Sequence, residues 1–321
     1  MPPSPLAIAG TESEKFRSGL INAVGAYALW GIFPLYFLLL RPASGFEIVG
    51  WRILFSLVFC ALLLTVTRAW PAFLAIARQG RLLGLMAVAA VLIYINWQTY
   101  ILATLAGQVV ETSLGYFINP IVTVLLGVLV LHERLRRMQW VAIAISVVAV
   151  LVLAFGHGSV PWVALVLAGS FGSYGLVKKH VGPRVDAVSG LTLETAWLAP
   201  VAVVVLVLVG QFGPGGIVLG SAGWGHSVLI VLSGVATALP LLLFAAAARR
   251  LPLIWVGLVQ FIAPVIQFVI GVAVLGEPMP PERWAGFVIV WVALVILVID
   301  MVRAAGRARG AASAAVEGPI G

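Results

Sequence analysis

The chain has 321 residues, of which 62% are hydrophobic and 9% charged, whereas ordinary soluble domains carry about 25% charged residues. No water-soluble domain of this length buries so much apolar surface, so the solvent is lipid and the protein is integral to a membrane. The formal net charge of +8 would point to nucleic acid in a soluble protein, but here it is spread over short loops, and nucleic acid is not an expected partner.

A helix needs about 20 apolar residues to cross ~30 Å of hydrocarbon. In chain order, spans are predicted near 20–40, 46–67, 82–102, 112–131 and 139–156. Five more follow near 161–177, 190–211, 226–248, 251–275 and 283–302. The runs are continuous rather than alternating, and a helix satisfies its own backbone hydrogen bonds in lipid. The fold class is therefore all-α. The first run is too long for the core of a signal peptide and follows Glu12 and Glu14, so it reads as a retained span. Residues 1–17 and 303–321 are rich in Ala, Gly, Pro and Ser and are expected as disordered cytoplasmic tails. Cys60, the only cysteine, excludes an internal disulfide and any cysteine-based metal site.

Span 4 and span 9 echo each other. Residues 113–133 read SLGYFINPIVTVLLGVLVLHE and residues 257–277 read GLVQFIAPVIQFVIGVAVLGE. Nine of the 21 positions are identical, including Pro120 with Pro264, Gly127 with Gly271 and Glu133 with Glu277. The offset of 144 also carries Trp140 onto Trp284, and Gly25 and Gly31 onto Gly169 and Gly175. The chain thus divides into a first repeat over 18–156 and a second over 161–302. Five spans per repeat is an odd number, so the second copy enters the bilayer from the opposite side. Such inverted halves suit alternating access, in which one bundle rocks against the other around a central site.

Basic residues set the orientation. With the amino terminus in the cytoplasm, sixteen of the 19 Lys and Arg fall inside: Lys15 and Arg17, the loops at 68–81, 134–137, 178–184 and 249–250, and Arg303, Arg307 and Arg309. Only Arg41 and Arg283 fall outside, and Arg52 lies within span 2. Both termini are expected in the cytoplasm.

Polar groups in lipid turn toward protein or water, so they mark the interior. In span 4, Thr112, Tyr116, Asn119 and Thr123 recur at helical spacing. Gln260 and Gln267 occupy the matching places of Tyr116 and Thr123 in span 9. Span 3 adds Asn96, Thr99 and Tyr100, and span 6 adds Tyr174. These residues are candidates for contacting a solute, and hydrogen bonding between helices is the competing explanation. Four charged residues are candidates for gating or coupling. Arg52 lies about 9 Å inside the outer end of span 2. Glu111 is at a depth that suits pairing with it, Glu47 is about 140° away around the helix, and Glu194 lies near the inner end of span 7. Here the competing reading is that Arg52 snorkels outward and the glutamates sit at the interface.

The strings GAYALWGIFPLYF, EIVGWR, INW, VVETSLGYFINP, GSYGLVKKHVG, GLTLET and TALPLLLFAAAARRLPL, followed by FIAPVIQF and GEPMPPER, run through nearly all ten spans in order. In them the chain resembles the RarD-type, EamA-type permeases of the drug/metabolite transporter superfamily. The resemblance implies ten transmembrane helices in two EamA repeats and a bacterial inner (plasma) membrane location, and it supplies no substrate; the expected function is secondary-active export of a small amphiphilic metabolite or drug, such as chloramphenicol-like compounds.

No Walker motif is present, so a proton or solute gradient is the expected driving force, with protons as a candidate coupling ion. An enzyme is not expected. His132-Glu133 begins an H-E-x-x-H pattern, but Arg136 stands where the second histidine belongs, and the other histidines are scattered over loops. Neither a catalytic set, a metal nor a cofactor is expected. The alternative to a transporter is a non-transporting receptor or scaffold.

Overall fold

The structure is a computed structural model that describes residues 5–132, 135–156, 160–181 and 184–316. Glu133, Arg134 and His157, which entered the repeat, charge and motif arguments, lie outside the described residues, as do the side chains of Arg307 and Arg309. All regular structure among the described residues is helical. The first half contains α1 (Pro5–Leu39), α2 (Gly45–Val66), the short α3 (Trp70–Ala77), α4 (Gly80–Leu105), α5 (Val109–Leu131) and α6 (Arg137–Gly156). The second contains α7 (Trp162–Val181), α8 (Ala187–Phe212), α9 (Trp224–Ala248), α10 (Leu253–Val259), α11 (Ile262–Val269) with a π-helical turn at Ile270–Val274, and α12 (Pro281–Val316).

Nine stretches of the described residues are long and apolar enough to cross a membrane. Eight belong to α1, α2, α4, α5, α6, α8, α9 and α12, and the ninth runs from Trp255 to Val274 through α10, α11 and the π-turn. The expected sixth span corresponds to α7, which is not among the nine. Its 20 residues rise about 30 Å, but they include Ser170, Ser173 and Tyr174 and carry Lys178, Lys179 and His180 in the last turn. Val163, Ala164, Leu167 and Ala168 are fully buried, and the helix packs on α4 and α5. A helix screened on two sides by protein does not need an apolar surface all round.

Two sequence expectations change. Residues 5–17 and 303–316, expected as tails without structure, continue α1 and α12 as helix; alanine-rich sequence propagates a helix already nucleated by a span. The ninth span, expected as one run, is broken between Val259 and Ile262. Pro264 has no N–H for the carbonyl of Gln260 and its ring crowds that turn, which accounts for the break. Pro120, its counterpart, is carried within a continuous α5.

Two helix starts are set by side-chain caps. Ser44 accepts the Glu47 N–H at 3.2 Å at the head of α2, and Asp186 accepts the N–H groups of Val188 and Ser189, each at 3.0 Å, at the head of α8. Close crossings then use glycine, as expected where packing rather than the hydrophobic effect joins helices in lipid. A Cβ on Gly115 would lie 2.9 Å from the Ala164 carbonyl oxygen, and one on Gly234 only 2.4 Å from that of Phe55.

The packing pairs come in matched sets. Shifting by 144 residues carries α1, α2, α4, α5 and α6 onto α7, α8, α9, α10–α11 and α12. Under that exchange the α5–α7 contact becomes α1–α11, α4–α7 becomes α1–α9, and α2–α9 becomes α4–α8, and all six are present. The pairs α2–α8, α5–α11 and α6–α12 join each helix to its own counterpart. The largest buried cluster lies at the centre, with Phe37, Ile53, Trp97, Leu167 and Leu198 drawn from α1, α2, α4, α7 and α8. Outside it, large apolar side chains such as Val66, Phe155 and Trp224 are more than three-quarters exposed, as lipid-facing residues are. Within α12, Asp300 is buried and pairs at 3.1 Å with Arg136, the residue that precedes α6.

Candidate functional site

Arg52 is the eighth residue of α2 and only 4% exposed. Its Nε donates to Thr237 Oγ1 on α9 at 2.8 Å, and Thr237 donates onward to the Ser233 carbonyl at 2.8 Å. The guanidinium carbon lies 4.4 Å from the centroid of the Trp97 ring, 5.3 Å from Phe37 and 5.7 Å from Phe33. Such cation–π contacts contribute about 0.5–2 kcal/mol, against several kcal/mol for taking an ion out of water. Among the described residues no carboxylate lies within ion-pair distance of Arg52.

The carboxylates expected near Arg52 are engaged elsewhere. Glu111 accepts the Val163 N–H at 3.0 Å and so fixes the start of α7; it does not form the expected pair with Arg52. Glu47 is fully buried, and its Oε1 accepts the N–H groups of Val218 and Leu219 at 2.8 and 3.0 Å and the Trp51 indole N–H at 3.3 Å. The physical reason is common to both. Buried backbone N–H groups at helix starts and loops need acceptors, and a carboxylate near a helix end is the acceptor within reach. Glu277 follows the same rule, accepting the Val109 and Val110 N–H groups at 2.6 and 2.8 Å at the head of α5. Burial pushes its carboxyl above the ordinary carboxylate range despite these two bonds.

From the Arg52 cage a line of aromatic rings crosses the centre. Phe37 meets Tyr100 at 6.0 Å between centroids, Tyr100 meets Tyr116 at 5.7 Å, Tyr116 meets Phe171 at 6.0 Å, and Phe171 stacks on Tyr174 at 5.8 Å. The far end of this ladder is Glu194, the eighth residue of α8 and almost fully buried. The Tyr174 hydroxyl lies 3.3 Å from both its oxygens, and Lys178 Nζ donates to Oε1 at 2.9 Å. One charged centre on each of two counterpart helices thus closes the ladder, Arg52 without an acidic partner and Glu194 with a basic one.

The remaining candidates separate into groups. Asn96 donates to the Leu167 carbonyl and to Ser170 Oγ, each at 3.2 Å, and accepts from the Tyr116 hydroxyl at 3.1 Å, tying α4, α5 and α7 together behind the ladder. Thr99 is half-buried beside Tyr100, whose own buried hydroxyl has no partner among the described residues. Asn119 faces Gly172, with its Oδ1 unpartnered. Gln267 donates to the Trp30 carbonyl at 3.2 Å, and its Oε1 is likewise unpartnered. Two residues stand apart. Thr123, past Pro120, is exposed and bonds its own helix at the Asn119 carbonyl. Gln260, at the break before α11, bonds back to Gly257 at 2.9 Å, so it shares no continuous stripe with Gln267.

Sequence reasoning missed Phe33, Phe37, Trp97 and Thr237 around Arg52, and Lys178 beside Glu194. The signal for Lys178 was present, because it follows Tyr174 by four residues and so shares its helix face. The cage had none, since its four members come from three helices, α1, α4 and α9, that only the packing brings to Arg52.

The sequence pattern described as the EamA-like transporter family matches residues 17–155. The chain is similar to Protein RarD of Streptomyces exfoliatus, with 47% identity over 304 residues and 95% of each chain covered. It is 42% identical to the uncharacterized transporter YojE of Bacillus subtilis, covering 91% of this chain and 97% of that one. A solved crystal structure superposes with a TM-score of 0.56 over 89% of this chain and 98% of the other; at 16% identity that likeness concerns the fold alone.

Proposed function

The chain belongs to the EamA-like transporter family, with the character of a RarD-type permease, and from that premise we propose that this multi-pass bacterial membrane transporter is a secondary-active exporter of a small amphiphilic metabolite or drug, working by alternating access. The observation that carries the reading is the aromatic ladder, which spans the interface between counterpart helices and ends in a charged residue at each side.

In this proposal residues 18–156 and 161–302 are inverted five-helix repeats, α7 is the tenth span, and both termini are cytoplasmic. The matched packing pairs support the first point, and the basic residues inside against Arg41 and Arg283 outside support the last. The α2–α8 and α5–α11 contacts are the surfaces on which the halves rock. Tyr100, Tyr116 and Tyr174 offer ring faces to the apolar body of a solute, while Asn96 holds Tyr116 in place. Glu194 with Lys178 is the cytoplasmic latch and the coupling centre: a proton on Glu194 cancels its attraction for Lys178 and releases α7 from α8. Glu47 and Glu111 act on gating only by holding the outer ends of helices, and chemical catalysis has no part in the cycle.

Proteoliposomes carrying the purified chain test this with and without an imposed pH gradient, using a panel of neutral, acidic and basic amphiphiles that includes chloramphenicol. Gradient-driven flux of at least one class is expected, and no flux of any member would overturn the proposal. Accessibility labelling of Arg136→Cys and Pro280→Cys tests the inversion; reaction of both from the same compartment would remove the rocking mechanism.

A further inference from the structure

We propose that Arg52 is the anchor for the solute and that the solute is a monoanion, a carboxylate joined to an aromatic or other apolar body. This deepens the transporter reading and rests on it.

Four observations converge. The guanidinium is buried, and no acidic side chain among the described residues offsets its charge. The four carboxylates that approach the centre or its outer rim are already engaged: Glu47, Glu111 and Glu277 by backbone N–H groups, and Glu194 by Lys178. Only Nε of Arg52 has a hydrogen-bond partner among the described residues, Thr237. The two Nη groups are left for a ligand, and they form the fork that grips a carboxylate in a bidentate fashion. Finally, the Tyr100 hydroxyl is buried without a partner, one ring contact from Phe37 in the cage. It supplies a further donor for an oxyanion beside the guanidinium.

Charge arithmetic selects among solutes. A cationic amphiphile would bring a second positive charge into a site that already carries one, and like charges at low dielectric repel strongly. A dianion such as a phosphate monoester would leave one uncompensated negative charge among the rings. A neutral solute would leave Arg52 as it stands. A monoanion alone brings the site to neutrality, and its apolar body continues along Tyr100, Tyr116 and Phe171. The ion that cancels the charge on Arg52 is thus the cargo itself, so the same substitution should weaken binding and change selectivity together.

The test uses the full chain in nanodiscs and in proteoliposomes, with 3-phenylpropionate, its amide and 3-phenylpropylamine as probes of one shape and three charges, and 3-phenylpropyl phosphate as the dianion. For the wild-type chain, 3-phenylpropionate is expected to raise the thermal unfolding midpoint and to bind at least 10-fold more tightly than the other three. In Arg52→Gln that preference falls to within about 3-fold, and Arg52→Lys retains part of it because a point charge replaces the fork. If Arg52→Gln does not fold, the wild-type comparison decides. Equal binding of the acid and its amide by the wild type overturns the inference, as does an unchanged preference in Arg52→Gln. Flux of neutral compounds alone would sink the anion assignment and leave the transporter intact. Binding of the acid with no flux of any probe would keep the assignment and overturn transport.

Discussion

Gly234→Ala should unfasten Arg52 without touching it. A Cβ at Gly234 would sit 2.4 Å from the Phe55 carbonyl oxygen, where ordinary contact begins at 3.4 Å. The obstacle is backbone, so no rotamer change relieves it, and α9 must move off α2 by about 1 Å at the crossing. Thr237 lies one turn along α9 from Gly234, and Arg52 lies one turn along α2 from Phe55. Their 2.8 Å hydrogen bond therefore stretches to roughly 3.8 Å, beyond the range in which N–H···O bonds hold. Overpacking costs about 1–3 kcal/mol, losing a hydrogen bond to a charged group about 1.5–3 kcal/mol, and helix propensity returns about 1 kcal/mol, so the variant should lose about 1.5–5 kcal/mol. Unfolding of the full chain by SDS titration in mixed micelles measures this. Gly84→Ala is the control: nothing lies within 4 Å of the new Cβ, and helix propensity favours alanine by about 1 kcal/mol. The specific test is a double-mutant cycle with Thr237→Val. If separation breaks the bond, Thr237→Val costs little in the Gly234→Ala background. Additivity within about 0.5 kcal/mol, or a loss below about 1 kcal/mol for Gly234→Ala, would refute the reasoning.

Glu277→Ala should cost about 1–3 kcal/mol by leaving the Val109 and Val110 N–H groups without acceptors; Glu277→Gln, which keeps one acceptor oxygen, should cost less in the same unfolding titration. The Asp186 carboxyl lies below its ordinary value of 3.8, because burial works upward but the hydrogen bonds from Ser189 and Val188 outweigh it. The unfolded chain takes up that proton first, so the contribution is full above pH 3.8 and is lost as the pH falls through the folded value. Asp186→Asn keeps the cap and should flatten this acid limb of thermal stability, whereas Asp186→Ala should cost about 1 kcal/mol at neutral pH. Glu194→Gln should abolish the response of flux to an imposed pH gradient while solute counterflow persists; a preserved response would place the coupling proton elsewhere.

Much of the fold was legible because lipid imposes simple rules. A span must have a certain length, its backbone must satisfy itself, and its basic flanks mark sides; nine of the expected spans therefore coincide with apolar helical stretches. The departures share a cause, which is that neighbours alter what a helix tolerates. α7 carries serines, tyrosine and lysines because α4 and α5 screen it, and its composition alone does not meet the apolarity of a free span. The break before α11 was foreshadowed by Pro264, yet Pro120 occupies the same place in an unbroken α5, so the residue permits a break and the packing decides it. In the site, helical spacing gathered Tyr116 and Asn96 each onto a stripe of its own helix, and the 3.1 Å hydrogen bond between them came from the packing. Spacing failed for Gln260 and Gln267, since a stripe is continuous only where the helix is.

The charged residues were the least legible, and the reason bears on mechanism. Depth along a span pairs Arg52 with Glu111, and charge alone would pair them too. Backbone competes for the carboxylate, however, and a helix start offers several N–H groups that lipid and protein cannot otherwise satisfy. Glu111 and Glu277 are drawn to such groups, and Glu47 to the loop N–H groups of Val218 and Leu219, which makes all three rivets between segments rather than partners for a cation. The same competition leaves Arg52 among aromatic rings, whereas Glu194, two turns into α8, has the Lys178 ammonium within reach from the neighbouring α7. Asp186 already serves the first turn of α8, so Glu194 is free to face the centre. A scaffold of matched helices thus holds two charges in unlike states, one compensated and one not. That difference makes the two counterpart helices α2 and α8 chemically unlike where they face the centre.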